Sequence, residues 1–107
     1  MEDEVLYLSK TKQKREARLL EQKEFLAKKK MGEIQQKWND AQIKAASAQS
    51  VLDYMVQVFT ENKKELNEEQ VSQTEEQIKT RQKEIEEFIM AEKTDYEQEL
   101  KDFNATL

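Results

Sequence analysis

The apolar positions of the chain fall into a helical rhythm. From Ile34 they step alternately four and three residues, through Trp38, Ala41, Ala45, Ala48, Leu52, Met55 and Phe59. This is the spacing of helices that pair along a narrow seam. The frame runs back through Met31, Ala27, Leu20 and Ala17 and forward to Leu66, with Lys10, Gln13, Glu24 and Asn62 interrupting it. A second frame fills the C-terminal third. Val71, Ile78 and Ile85 are seven apart, Ile89 follows four later, and Tyr96 comes seven after that. Leu100 then arrives one residue late, and Phe103 and Leu107 continue the shifted frame. Such a stutter locally unwinds a left-handed supercoil without ending the helix. The two frames predict one domain over 1–107, helical over 4–65 and 72–106. The polar stretch 60–74 between them holds two capping-box spacings, Asn67 to Gln70 and Ser72 to Glu75. It predicts a turn over 66–71, since such boxes satisfy the free amides that open a helix.

Folding about that turn pairs residues whose numbers sum to roughly 135, within the usual error of a helix boundary. Ala45, Ala46 and Ala48 then face Phe88, Ile89 and Met90, small against large, as interdigitating layers require. Trp38 meets Tyr96 and Leu100, and Ile34 meets Leu100 and Phe103. The predicted association seam is Ile34, Trp38, Leu52, Met55, Val56 and Phe59 on the first helix. On the second it is Ile85, Phe88, Ile89, Tyr96 and Leu100.

This register leaves apolar surface over. Seven of the nine residues in 51–59 are apolar, whereas the facing stretch 76–84 offers Ile78 alone. A helix apolar nearly all round must be surrounded. Val5, Leu6, Tyr7 and Leu8 are the candidates to cover 56–59, brought there by a hinge at Gly32. Lys28, Lys29 and Lys30 suit a helix C-terminus before a glycine cap. Alternatively the helix runs straight through Gly32, at a cost of about 1 kcal/mol. Residues 1–66 would then form a rod of roughly 100 Å, and two such rods would pair antiparallel about Gly32. The expected fold class is all-α: long antiparallel helices forming a coiled-coil hairpin, either a dimer of hairpins or a three-helix bundle bent near Gly32. The dimer is slightly preferred.

Composition narrows the chemistry. The 107 residues include one glycine and no proline, cysteine or histidine, and 38% are charged. A sheet fold needs glycine and proline at its turns, whereas Glu, Lys, Gln, Leu and Ala favour helix. Without cysteine there is no disulfide, thiolate nucleophile or zinc spacing. Without histidine the commonest general base and metal ligand are missing, as is the Glu-x-x-His of di-iron bundles. No glycine-rich loop is present to cradle phosphate. Glu84, Glu86, Glu87 and Glu92 sit among lysines on polar faces, not in a cleft that would raise one of their pKa values. The expectation is a non-enzyme with no catalytic residue, metal, cofactor or small-molecule substrate. The start Met1-Glu2-Asp3-Glu4 lacks the basic opening of a signal peptide. No apolar stretch approaches the roughly 20 residues of a membrane span. A soluble, intracellular protein is the default.

Charge is unevenly spread. Residues 10–30 carry nine Lys/Arg and three Asp/Glu, a balance of +6, and residues 80–100 carry three and seven, a balance of −4. Either arrangement of the helices lays these segments side by side. Exposed pairs select partners and register more than they stabilise. Lys10, Lys12, Lys14, Arg15 and Arg18 form the expected charged partner face. Nucleic acid fits this face poorly, because the chain is −5 overall and no aromatics interleave for base stacking. Residues 15–30, with Leu19, Leu20, Phe25 and Leu26, also match a helix lying on an anionic membrane. A partner helix accounts for the pattern with fewer assumptions. Trp38 reads as a packed seam residue, and Asn62 as a polar position able to fix register. The expected function is a coiled-coil scaffold or assembly protein that associates with itself, as a homodimer, and with another helical protein. The alternative is a chaperone-like binder of a partner's amphipathic segment. In overall pattern, without a shared motif, the chain resembles small helical-hairpin proteins of bacterial secretion and flagellar export.

Overall fold

The computed structural model describes the backbone of residues 2–106 and the side chains of residues 9–106. Two helices account for nearly all of it: α1, Glu2–Asn62, and α2, Glu68–Ala105, joined through a short 3-10 turn at Lys63–Glu65. The protein is all-helical, with no strand among the described residues. It divides into two compact units, Met1–Glu33 and Ile34–Leu107.

The helix connection shows why α2 begins where it does. Asn62 closes α1 by donating its side-chain amide to the Val58 carbonyl at 2.8 Å. Leu66 is extended and donates its N–H to the Lys63 carbonyl at 3.2 Å. Asn67 then caps α2: its side-chain oxygen accepts from the Gln70 N–H at 2.8 Å, and the Gln70 side chain accepts from the Asn67 N–H at 3.1 Å. Each partner satisfies an amide that the first helical turn leaves free. Leu66 and Val71 occupy the positions of a hydrophobic staple around this box, and both are half-buried. Glu68 and Glu69 add negative charge at the positive end of the helix. The turn therefore occupies 63–67, not 66–71, and α2 starts at 68 instead of 72. Of the two capping boxes in the sequence, the earlier one is used, and by Ser72 the helix is already under way.

Within Ile34–Leu107 the two helices run antiparallel. Lys37 bonds Glu99, Trp38 stacks on Tyr96, Gln49 bonds Gln82, Arg81 reaches Met55 and Lys63 pairs with Glu75. These pairs sum to between 131 and 138, the register expected from the turn. Ile34, Ala41 and Leu52 are buried, and Trp38, Ala45, Met55 and Phe59 are half-buried beside them. From α2 come Val71, Thr74, Ile78, Gln82, Ile85, Phe88, Ile89, Glu92, Tyr96, Glu99, Leu100 and Phe103, all half-buried. Ala46, Ala48 and Met90 are exposed, so only part of the alanine-to-aromatic layer expected around 45–48 forms.

The unit Met1–Glu33 is described by α1 alone. Leu19, Leu20, Phe25 and Leu26 are exposed along it, while Ala27 and Met31 are half-buried. The side chains of Val5, Leu6, Tyr7 and Leu8, expected to cover 56–59, lie outside the described residues. Gly32 is helical, without the positive φ of a left-handed cap, and a Cβ built on it meets nothing within 4 Å. The cap considered at this residue is therefore not formed. Glycine in open, helical backbone weakens a helix through its conformational entropy. Gly32→Ala should thus raise stability by about 1 kcal/mol in urea unfolding. A loss of stability would mean that Gly32 works as a hinge outside helical geometry.

Candidate functional site

The seam between α1 and α2 is apolar at most levels but carries a polar lock at its centre. Between Ala45 and Leu52 a seam can pass through residue 48 or residue 49. The structure uses Gln49, which is half-buried, while Ala48 is exposed. On α2 the same choice between 81 and 82 falls to Gln82. The two glutamines exchange hydrogen bonds, each Nε2 donating to the other's Oε1 at 2.9 Å. A partly buried amide costs little when paired and more when its partner is removed. Such a pair penalises any sliding of one helix along the other, as a polar seam residue does in coiled coils.

A second polar cluster lies towards the open end of the hairpin. Trp38 and Tyr96 stack with ring centres 5.3 Å apart and planes 12° from parallel. Around them stand Ile34, Lys37, Glu92, Asp95 and Glu99. The Lys37 ammonium donates to Glu99 Oε1 at 2.9 Å. The bond to Glu99 and its charge, followed by Glu92 and Asp95, hold the lysine pKa above its ordinary 10.5. Because the lysine pKa is raised, the stabilisation drawn from its positive charge is lost as pH rises through that raised value. One cation among three carboxylates leaves this end of the hairpin acidic. At the 88 level Lys44 lies over the Phe88 ring, 5.1 Å from its centre.

The stretch 51–59 splits into two faces. Leu52, Met55 and Phe59 turn to α2, with Leu52 only 2% exposed. Val51, Tyr54 and Val58 are exposed, Val51 at 59% and Tyr54 at 65%. Their steps of three and four residues place them on one face, and Ile43, 64% exposed, precedes Val51 by eight on the same face. α1 thus carries two apolar stripes in this unit, one filled by α2 and one open to solvent. Val56, expected in the seam, is 37% exposed, more than its half-buried seam neighbours Met55 and Phe59. The other expected seam residues, Ile34, Trp38, Leu52, Met55, Phe59, Ile85, Phe88, Ile89, Tyr96 and Leu100, are buried or half-buried. Asn62, expected as a register-fixing polar residue, instead bonds its own helix and is exposed. Lys10, Lys12, Lys14, Arg15 and Arg18 are exposed on the N-terminal unit.

Gln49, Gln82, Lys37 and Glu99 are the site residues that the hydrophobic pattern does not reveal. Among the described residues no group of three or more acidic, histidine or cysteine side chains is placed to hold a metal ion. No described helix is long and apolar enough to cross a membrane. Comparison with protein-family models, curated proteins and solved structures finds no match.

Each glutamine Nε2 also donates along its own helix, Gln49 to Asp53 at 2.9 Å and Gln82 to Glu86 at 3.4 Å, so Gln49→Leu or Gln82→Leu alone strips the donor from the other's Oε1 and should destabilise the hairpin by about 1 kcal/mol. The double variant should recover most of that loss. A double-mutant cycle in urea reads the coupling; purely additive single losses would show that the two amides do not act as a pair.

Proposed function

We propose that this is a non-enzymatic coiled-coil association protein, a scaffold or assembly factor whose first partner is another copy of itself. The observation that carries the reading is the second apolar stripe, Ile43, Val51, Tyr54 and Val58, standing open on a helix whose opposite face is already packed. Helices of this kind owe most of their stability to burying an apolar face. Large exposed apolar patches mark sites where another chain docks. The long helices, the polar lock at Gln49 and Gln82 and the aromatic stack at the hairpin's end support a rigid presenting element. Nothing in this reading requires a cofactor or a small-molecule substrate. The same stripe also suits a chaperone that shelters a partner's amphipathic segment. Such a chaperone would be loosely folded alone and gain helix with its client.

Light scattering on the purified chain tests the proposal. The expected result is a mass shifting with concentration from 12.8 kDa to twice that value. Val51→Lys should weaken the association by about tenfold or more, since burying such a side chain is worth roughly 1.5–3 kcal/mol. Helix content should be unchanged, because Val51 does not pack on α2. A stable, fully helical 12.8 kDa species at all concentrations would contradict the proposal.

A further inference from the structure

We infer that the open stripe of one copy is covered by the basic segment 10–30 of a second copy, lying antiparallel to it. The inference rests on the association proposed above and names the occupant. Three observations lead to it. The first is charge. The unit Ile34–Leu107 has nine Lys/Arg and sixteen Asp/Glu, a balance of −7, whereas residues 10–30 balance at +6. Parallel self-association would lay the +6 segments against each other. Antiparallel association lays each against the other copy's acidic unit, and opposite potentials of this size steer encounter and reject the wrong orientation.

The second observation is apolar matching. Leu19 and Leu26 are seven apart on the basic segment, both exposed at 57% and 60%. Val51 and Ile43 are eight apart on the open stripe and equally exposed. Antiparallel contact puts Leu19 on Val51 and Leu26 on Ile43, with the two-fold axis within about three residues of Gly32, the usual boundary error. Arg15 of the second copy then falls beside Tyr54, where a guanidinium over the ring is favourable.

The third is symmetry. Such a contact is isologous: each copy gives one basic segment and one stripe, so the same interface forms twice and the assembly closes at two chains. Because Gly32 is helical and has no positive φ, the chain lacks the left-handed cap that a reversal at that residue would use.

The chain has no cysteine, so single introduced thiols report the contact cleanly. Leu19→Cys and Val51→Cys are purified separately, mixed under thiol–disulfide exchange and separated without reductant. Both positions are exposed in the isolated chain, and circular dichroism verifies that each variant stays helical. The expected result is a shift from one chain's mass to two, with the mixed link dominating. Leu19→Cys alone should not link to itself. In this arrangement each residue 19 faces residue 51 of the other copy and not its own counterpart, whereas a disulfide needs Cα atoms within about 7 Å. Strong self-linking of Leu19→Cys would indicate parallel pairing and overturn the inference while leaving self-association standing. A dimeric mass without the mixed link would overturn it in the same way. A Leu19→Cys/Val51→Cys double variant that closes a link within one chain would identify that same chain as the occupant and likewise overturn it. A chain that stays monomeric by mass with neither link would instead remove the association on which the inference rests.

Discussion

The structure of the C-terminal unit depends on one antiparallel seam, in which a 3–4 repeat of apolar side chains on α1 meets its counterpart on α2. Among the described residues only Ile34, Ala41 and Leu52 are buried along it. The other described seam residues are half-buried, as expected along the contact of one helix with one other. A thin seam of this kind fixes the direction and level of the partner helix more readily than it protects either helix from water. Its register therefore rests on specific devices: the capping box at Asn67, the reciprocal amides of Gln49 and Gln82, and the stack of Trp38 on Tyr96. These lie at the closed end, the middle and the open end of the hairpin, so a slip at any level breaks at least one of them.

The same seam explains why an apolar surface remains. α2 can cover one face of α1, yet between 43 and 58 α1 is apolar on two. Leu52, Met55 and Phe59 use the first face, and Ile43, Val51, Tyr54 and Val58 are left on the second. This stripe is uncharged, whereas the unit bearing it is strongly acidic and residues 10–30 are strongly basic. A partner that answers both features is a basic amphipathic helix, and the chain itself carries one.

Much of the hairpin could be read from the sequence because its determinants are local or periodic. The absence of proline and the scarcity of glycine gave the helical class. The apolar steps from Ile34 to Phe59 gave the face, and the turn gave a register that the Trp38–Tyr96 stack and the Lys37–Glu99 pair match. The turn itself fell a few residues early, because two capping boxes stood five residues apart and periodicity does not rank them. The Asn67 box carries Leu66 and Val71 in staple positions, whereas the Ser72 box has the polar Glu76 in place of the second apolar partner. Gln49 and Gln82 were hidden for a different reason. A seam that passes from residue 45 to residue 52 can use 48 or 49, and hydrophobicity favours the alanine. What selects the glutamine is a partner glutamine on the other helix, a pairwise fact that no single-helix pattern contains.

Self-association through α1 requires that its second stripe be dry in the assembled protein. Hydroxyl-radical footprinting of Tyr54 and Val58 across a dilution series measures this at the side chains concerned. Strong labelling is expected when dilute, with protection that grows with concentration, while Leu52, on the packed face, stays protected throughout. Labelling of Tyr54 and Val58 that is equally strong at every concentration, in a protein that remains fully helical, would contradict self-association through α1.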